Sequence, residues 1–89
     1  MYAVHHAVTF TDRSAADAGL TQVVPQTSGL PGFTAGYWLA RSADQGLGLV
    51  MFDSEEAAQS FADFLKTAEA PGVKLDQEGL WVGEVLAHA

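Results

Sequence analysis

LPGFTAGYWLARSADQGLGLVMFDSEEAAQSFADFLKTA, residues 30–68, decides how the rest of the chain is read. It divides into strand, turn, strand and capped helix. FTAGYWLAR (33–41) and LGLVMFD (47–53) are rich in aromatic and aliphatic residues and read as strands. SADQG between them is a turn, with Gly46 open to a positive φ, so the two strands form an antiparallel hairpin. Placing Arg41 opposite Leu47 puts Phe33, Ala35, Tyr37 and Leu39 on one face with Leu49 and Met51. Thr34, Gly36, Trp38 and Ala40 then share the other face with Gly48, Val50 and Phe52. Asp53 or Ser54 caps the helix that follows, and Glu55 and Glu56 suit its first turn; with Asp53 as the cap, Glu56 completes a capping box. Ala57, Ala58, Phe61, Phe64, Leu65 and Ala68 form an apolar stripe, and the APG at 70–72 ends the helix.

Working outward, YAVHHAVTF (2–10) alternates as a strand apolar enough to be covered on both faces. His6 lies on the side of Val4, Val8 and Phe10, and His5 on the side of Ala3, Ala7 and Thr9. Ser14 and Asp17 have capping-box spacing, and the pairs Ala15/Ala16, Gly19/Leu20 and Val23/Val24 recur at helical spacing. Pro25 predicts a helix end near Val24, followed by a loop QTSGLPG. GLWVGEVLAHA (79–89) reads as the closing strand, with Leu80, Val82, Glu84, Leu86 and His88 on one side. The element order is β-α-β-β-α-β, an α+β fold of ferredoxin-like type with a four-stranded antiparallel sheet, in a single domain spanning 1–89.

Two helices cover only one face of such a sheet. The hairpin is nonetheless apolar on both faces, with Tyr37, Leu39, Leu49 and Met51 opposed to Trp38, Val50 and Phe52. Leaving one set in water is unfavourable at ~25 cal/mol per Å², so the pattern predicts a homodimer through the sheet face.

Composition narrows the function classes. Eleven acidic residues against four basic ones give a formal net charge of −7, which disfavours nucleic acid and anionic membranes. The chain has no cysteine, which excludes disulfides and thiolate chemistry. MYAVHHAVTF lacks a basic leader segment and carries two histidines, so neither a signal peptide nor a membrane span is expected, and the chain reads as cytoplasmic.

LPGF leading into a GYW strand, a glycine-bearing turn, VMFDSEEAA opening a helix and the tail EVLAHA together resemble the dimeric α/β-barrel superfamily. The closest likeness is to its small antibiotic-biosynthesis-monooxygenase-like members of unassigned activity. The resemblance implies that the ferredoxin-like unit forms a dimeric α/β barrel. The main expectation is a homodimer with a small, mostly apolar pocket and no assigned activity. Among the activities found in the superfamily, the leading one is a cofactor-independent monooxygenase acting on an aromatic or polyketide-like substrate, in which Trp38 and Tyr37 position the substrate and a histidine takes a proton, with a cyclase or isomerase third. The haem-degrading branch relies on a histidine from the second helix, and helix 54–68 has none. The alternative is a non-catalytic ligand-binding or dimerisation module.

His5 and His6 are the candidate catalytic residues, because imidazole exchanges protons near neutral pH; being adjacent on a strand, they serve opposite faces. His6, Val8 and Phe10 are similar to the strand-one His-x-Val-x-Phe of the stress-responsive barrel and cyclase branch. Glu84 and His88 share a face of the last strand, which neighbours the first in this topology, so His6 with either would make an acid–base couple or a partial metal site. No complete metal site and no cofactor is expected. Trp38 beside Gly36 and Gly48 either walls a cavity for a small hydrophobic ligand or is ordinary core. Tyr37, Trp38 and Glu84 are the expected pocket residues.

Overall fold

Alternation in four segments and helical periodicity in two build a single sheet with one covered face. In the computed structural model, which describes Met1–Ala89, the chain runs β1 (Tyr2–Phe10), α1 (Arg13–Ser28), β2 (Phe33–Ala40), β3 (Gln45–Phe52), α2 (Glu55–Thr67) and β4 (Val73–Glu84). The strand order is β2-β3-β1-β4, every neighbouring pair antiparallel. This is the ferredoxin-like arrangement expected from the element order. No helix is long and apolar enough to cross a membrane.

The core lies at one end of the sheet, beneath α2. Val4 and Val50 are direct partners across β1 and β3, both fully buried, and Phe52 completes the sheet's contribution. Ala58, Phe61 and Ala62 of α2 close over them. Phe52 meets Phe33 edge-on at 6.4 Å and Phe61 at 5.4 Å. Each of these large side chains contributes roughly 1.5–3 kcal/mol by leaving water. α2 is held at its start by Ser54, whose hydroxyl accepts from the Ala57 N–H at 3.1 Å, and Lys66 suits its last turn. Ser54, not Asp53, is therefore the cap. Ala62 joins the buried stripe, whereas Phe64 is 61% exposed, because α2 turns its 58-61-62 edge to the sheet.

Helix α1 departs from expectation at both ends. Its cap is Asp12, whose carboxylate accepts from Ala15 N–H at 3.1 Å, so the helix starts ahead of Ser14. It also runs through Pro25 to Ser28. Proline removes one backbone donor, but its fixed φ is helical, and here it falls in the last turn on the exposed side. The Pro25 carbonyl then accepts from Gly29 N–H at 3.2 Å and from the Ser28 hydroxyl at 3.0 Å, which closes the turn.

The hairpin register is tighter than the turn suggested. Ala40 lies opposite Gly46, and Tyr37 opposite Leu49, so Gly46 belongs to β3 and has no positive φ. The faces are those expected, except that an irregularity between Phe33 and Ala35 turns Phe33 to the side of Phe52. The positive-φ glycines are Gly32 (81°) and Gly72 (74°), each in the loop that returns a helix to the sheet.

β4 begins earlier and ends earlier than GLWVGEVLAHA implied. Val73–Asp76 pair with Phe10–Ala7, and Trp81–Glu84 pair with His5–Tyr2, with a register shift between the two stretches. The first stretch alternates Val73 and Leu75 with Lys74 and Asp76, and its charges mask the strand in composition. Beyond Glu84 there is no further β1 residue to pair with; Val85 N–H makes a final bond to the Met1 carbonyl at 2.9 Å. Leu86 and His88 lie outside the strand.

Candidate functional site

A cleft of about 1030 Å³ lies between the two helices and the sheet, bordering the α2 core. It exists because α1 contributes little to the packed interior, with only Ala16 and Thr27 buried. Leu20 and Val23 of α1, Phe61 and Leu65 of α2, and His6 and Trp38 of the sheet line it.

The floor is one cross-sheet row. Trp38 pairs with Gly48, and Gly48 pairs with His6, so a glycine separates the two rings. The His6 imidazole lies over that glycine: a Cβ added to Gly48 would collide with Cε1 and Nε2 of the ring. Trp38 leans the other way, over Gly36, where an added Cβ would come within 2.9 Å of the indole. Each ring lies on a bare backbone position, an arrangement that side chains at 36 and 48 would forbid.

His6 is only 7% exposed, with Phe61 edge-on at 6.2 Å. Nδ1 is sealed from solvent and has no hydrogen-bond partner. Burial, and secondarily the charge of neighbouring His5, lowers the His6 pKa from its ordinary 6.5 to about 4. At neutral pH the ring is uncharged. A neutral imidazole and an indole among apolar walls suit a largely apolar ligand with few polar groups.

His5 occupies the opposite face. It stacks on Trp81, its partner across β1 and β4, with centroids 4.7 Å apart and planes 9° from parallel. Its Nδ1 is 2.8 Å from the Gly79 carbonyl and donates to it. The two adjacent histidines therefore serve different surfaces, as strand geometry requires.

Of the three expected pocket residues, the structure places Trp38 in the cleft. Tyr37 is on the open face, 56% exposed, and Glu84 is at the exposed end of β4 opposite Tyr2, outside the cleft lining. His6 is thus not joined by Glu84, nor by His88, which lies past the strand. No three His, Cys, Asp or Glu side chains are grouped so as to hold a metal ion. The contribution of Gly48 as the seat of His6 was hidden in the sequence, since it depends on the β1–β3 register. Leu20, Val23 and Thr27 were likewise unassigned to the cleft, because α1's distance from the sheet is a tertiary property.

No protein-family model matches the chain, and no curated protein matches it.

Proposed function

We propose that this protein binds a small, flat, largely apolar molecule in the cleft, and that it does so as a homodimer paired through the open sheet face. The cleft floor carries the binding reading: Trp38 and a buried His6 with an unpartnered Nδ1, each lying over a glycine, line the same cleft of about 1030 Å³. The open face supports the dimer. Tyr37, Leu39 and Trp81 are all more than half exposed there, beside Leu49 and Met51. Four strands at ~4.8 Å spacing and about eight residues long present roughly 500 Å² of plane, of the order of the ~800 Å² of accessible area per partner in standard interfaces. The sequence resemblance to dimeric α/β barrels points to the same assembly, and to the antibiotic-biosynthesis-monooxygenase-like group.

A second reading is a cofactor-independent monooxygenase on an aromatic or polyketide-like substrate, favoured by the convergence of Trp38 and His6 on one surface. A base with a pKa of about 4 is a weak proton acceptor at neutral pH, which is why binding is the primary reading. Fluorescence titration of a Trp81→Phe protein, leaving Trp38 as the reporter, with 2-acetylnaphthalene and 1,4-dihydroxynaphthalene tests the cleft. Saturable quenching is the expected outcome, and its absence for both removes the reading. Enzyme-dependent oxygen uptake with either compound would promote the monooxygenase. Sedimentation should give twice the chain mass, and Leu39→Asp should give the monomer; a wild-type mass of one chain at all concentrations would refute the dimer.

A further inference from the structure

We propose that His6 acts in the cleft as a hydrogen-bond donor through Nε2–H, so that the ligand it selects is a neutral, flat molecule bearing a conjugated carbonyl oxygen. This rests on the cleft-binding reading above and adds the polarity of its one central hydrogen bond.

A neutral imidazole carries one N–H and one bare nitrogen. Nδ1 of His6 is sealed and faces no acceptor and no donor. A proton there would be a buried orphan N–H, whereas a lone pair there is an under-satisfied acceptor, the less costly of the two. The proton therefore sits on Nε2, which lies over Gly48 on the cleft floor and, unlike Nδ1, is not sealed. A ligand hydroxyl donating to Nε2 would force the proton onto sealed Nδ1; a ligand carbonyl accepting from Nε2 would not.

His5 provides an internal contrast. Its Nδ1 is 2.8 Å from a carbonyl oxygen, which only accepts, so its proton is on Nδ1. Adjacent histidines are thus assigned opposite tautomers by their two faces. The charges around the cleft mouth favour a neutral ligand. Arg13 is paired with Asp17 at 2.8 Å, and Lys74 is accompanied by Glu56 and Glu69 among the lining residues, in a chain of net charge −7.

Long-range ¹H–¹⁵N correlation of the imidazoles at pH 7 reads both tautomers in the unmodified protein. Protonated Nε2 in His6 and protonated Nδ1 in His5 are expected; protonated Nδ1 in His6 overturns the proposal. Binding supplies the second arm, with 2-acetylnaphthalene and 2-ethylnaphthalene as probes on the wild-type protein and on His6→Phe. The acetyl compound should bind wild type roughly tenfold more tightly, although it is the less hydrophobic of the two, and the preference should vanish in His6→Phe. Equal binding of both probes to wild type overturns the donor role and leaves the cleft reading standing. Binding of neither overturns both.

Discussion

Keeping His6 uncharged in the folded protein makes acid a specific destabilising agent. Its pKa is 6.5 in an ordinary environment and about 4 in the fold. Between those values the unfolded chain holds a proton that the native protein refuses. Stability contributed by neutral burial is therefore fully present above pH 6.5 and is lost as pH falls towards 4, at up to ~1.4 kcal/mol per pH unit. From pH 7 to pH 5 the loss is about 2 kcal/mol by this linkage. In urea, with a slope of ~1–2 kcal/mol/M for a chain of this size, the midpoint should fall by roughly 1–2 M. The comparison that isolates His6 is His6→Phe, which keeps a flat ring over Gly48 and removes both nitrogens. Urea melts of the two proteins at pH 7, 6 and 5 should diverge, wild type losing about 2 kcal/mol more than the variant. The carboxylates are common to both proteins and cancel in the difference. Parallel pH profiles would refute the burial argument, and so would a His6 ring that titrates near 6.5 by NMR.

Gly48→Ala places a methyl where the imidazole lies, so the ring must swing out or the sheet must shift; a loss of about 1–3 kcal/mol is expected by thermal melting. The same variant should move the His6 titration up towards its ordinary value, and an unmoved titration would show that the ring does not depend on that seat. Ser54→Ala removes the side-chain acceptor for Ala57 N–H and should cost about 1 kcal/mol, with α2 intact by circular dichroism. A change within ±0.2 kcal/mol would show that Asp53 takes over the cap.

The parts of the fold that were legible in the sequence are those decided locally. Period-two alternation at 2–10, 33–41 and 47–53 places three strands that the structure adopts with shifts of one or two residues at their ends, and the helix start after Asp53 or Ser54 resolves to Ser54. Pro25 misled because its cost depends on where in a helix it falls: in the final turn, with its carbonyl satisfied by Gly29 and Ser28, it does not stop the chain. The start of β4 was hidden because an edge strand exposing Lys74 and Asp76 resembles a loop in composition.

The candidate site divides along the same line. That His5 and His6 must serve opposite faces follows from strand geometry alone, and so does the separation of Trp38 from Tyr37. Which of each pair enters the cleft required knowing which face the helices cover. Sequence alone favoured neither, because both faces of the hairpin are apolar. The decisive quantity is volume. Gly46 and Gly48 on the helix side of β3 leave room for Phe10 and His6 to lie across the strand. On the open side the same strand carries Leu47, Leu49 and Met51, whose side chains reach outward. A strand alternating glycine with large aliphatics thus has one face shaped to receive rings and one shaped to pack against a flat partner. The ligand cleft and the proposed dimer surface are two consequences of that single alternation, so a substitution that fills the glycine face should disturb His6 without altering assembly.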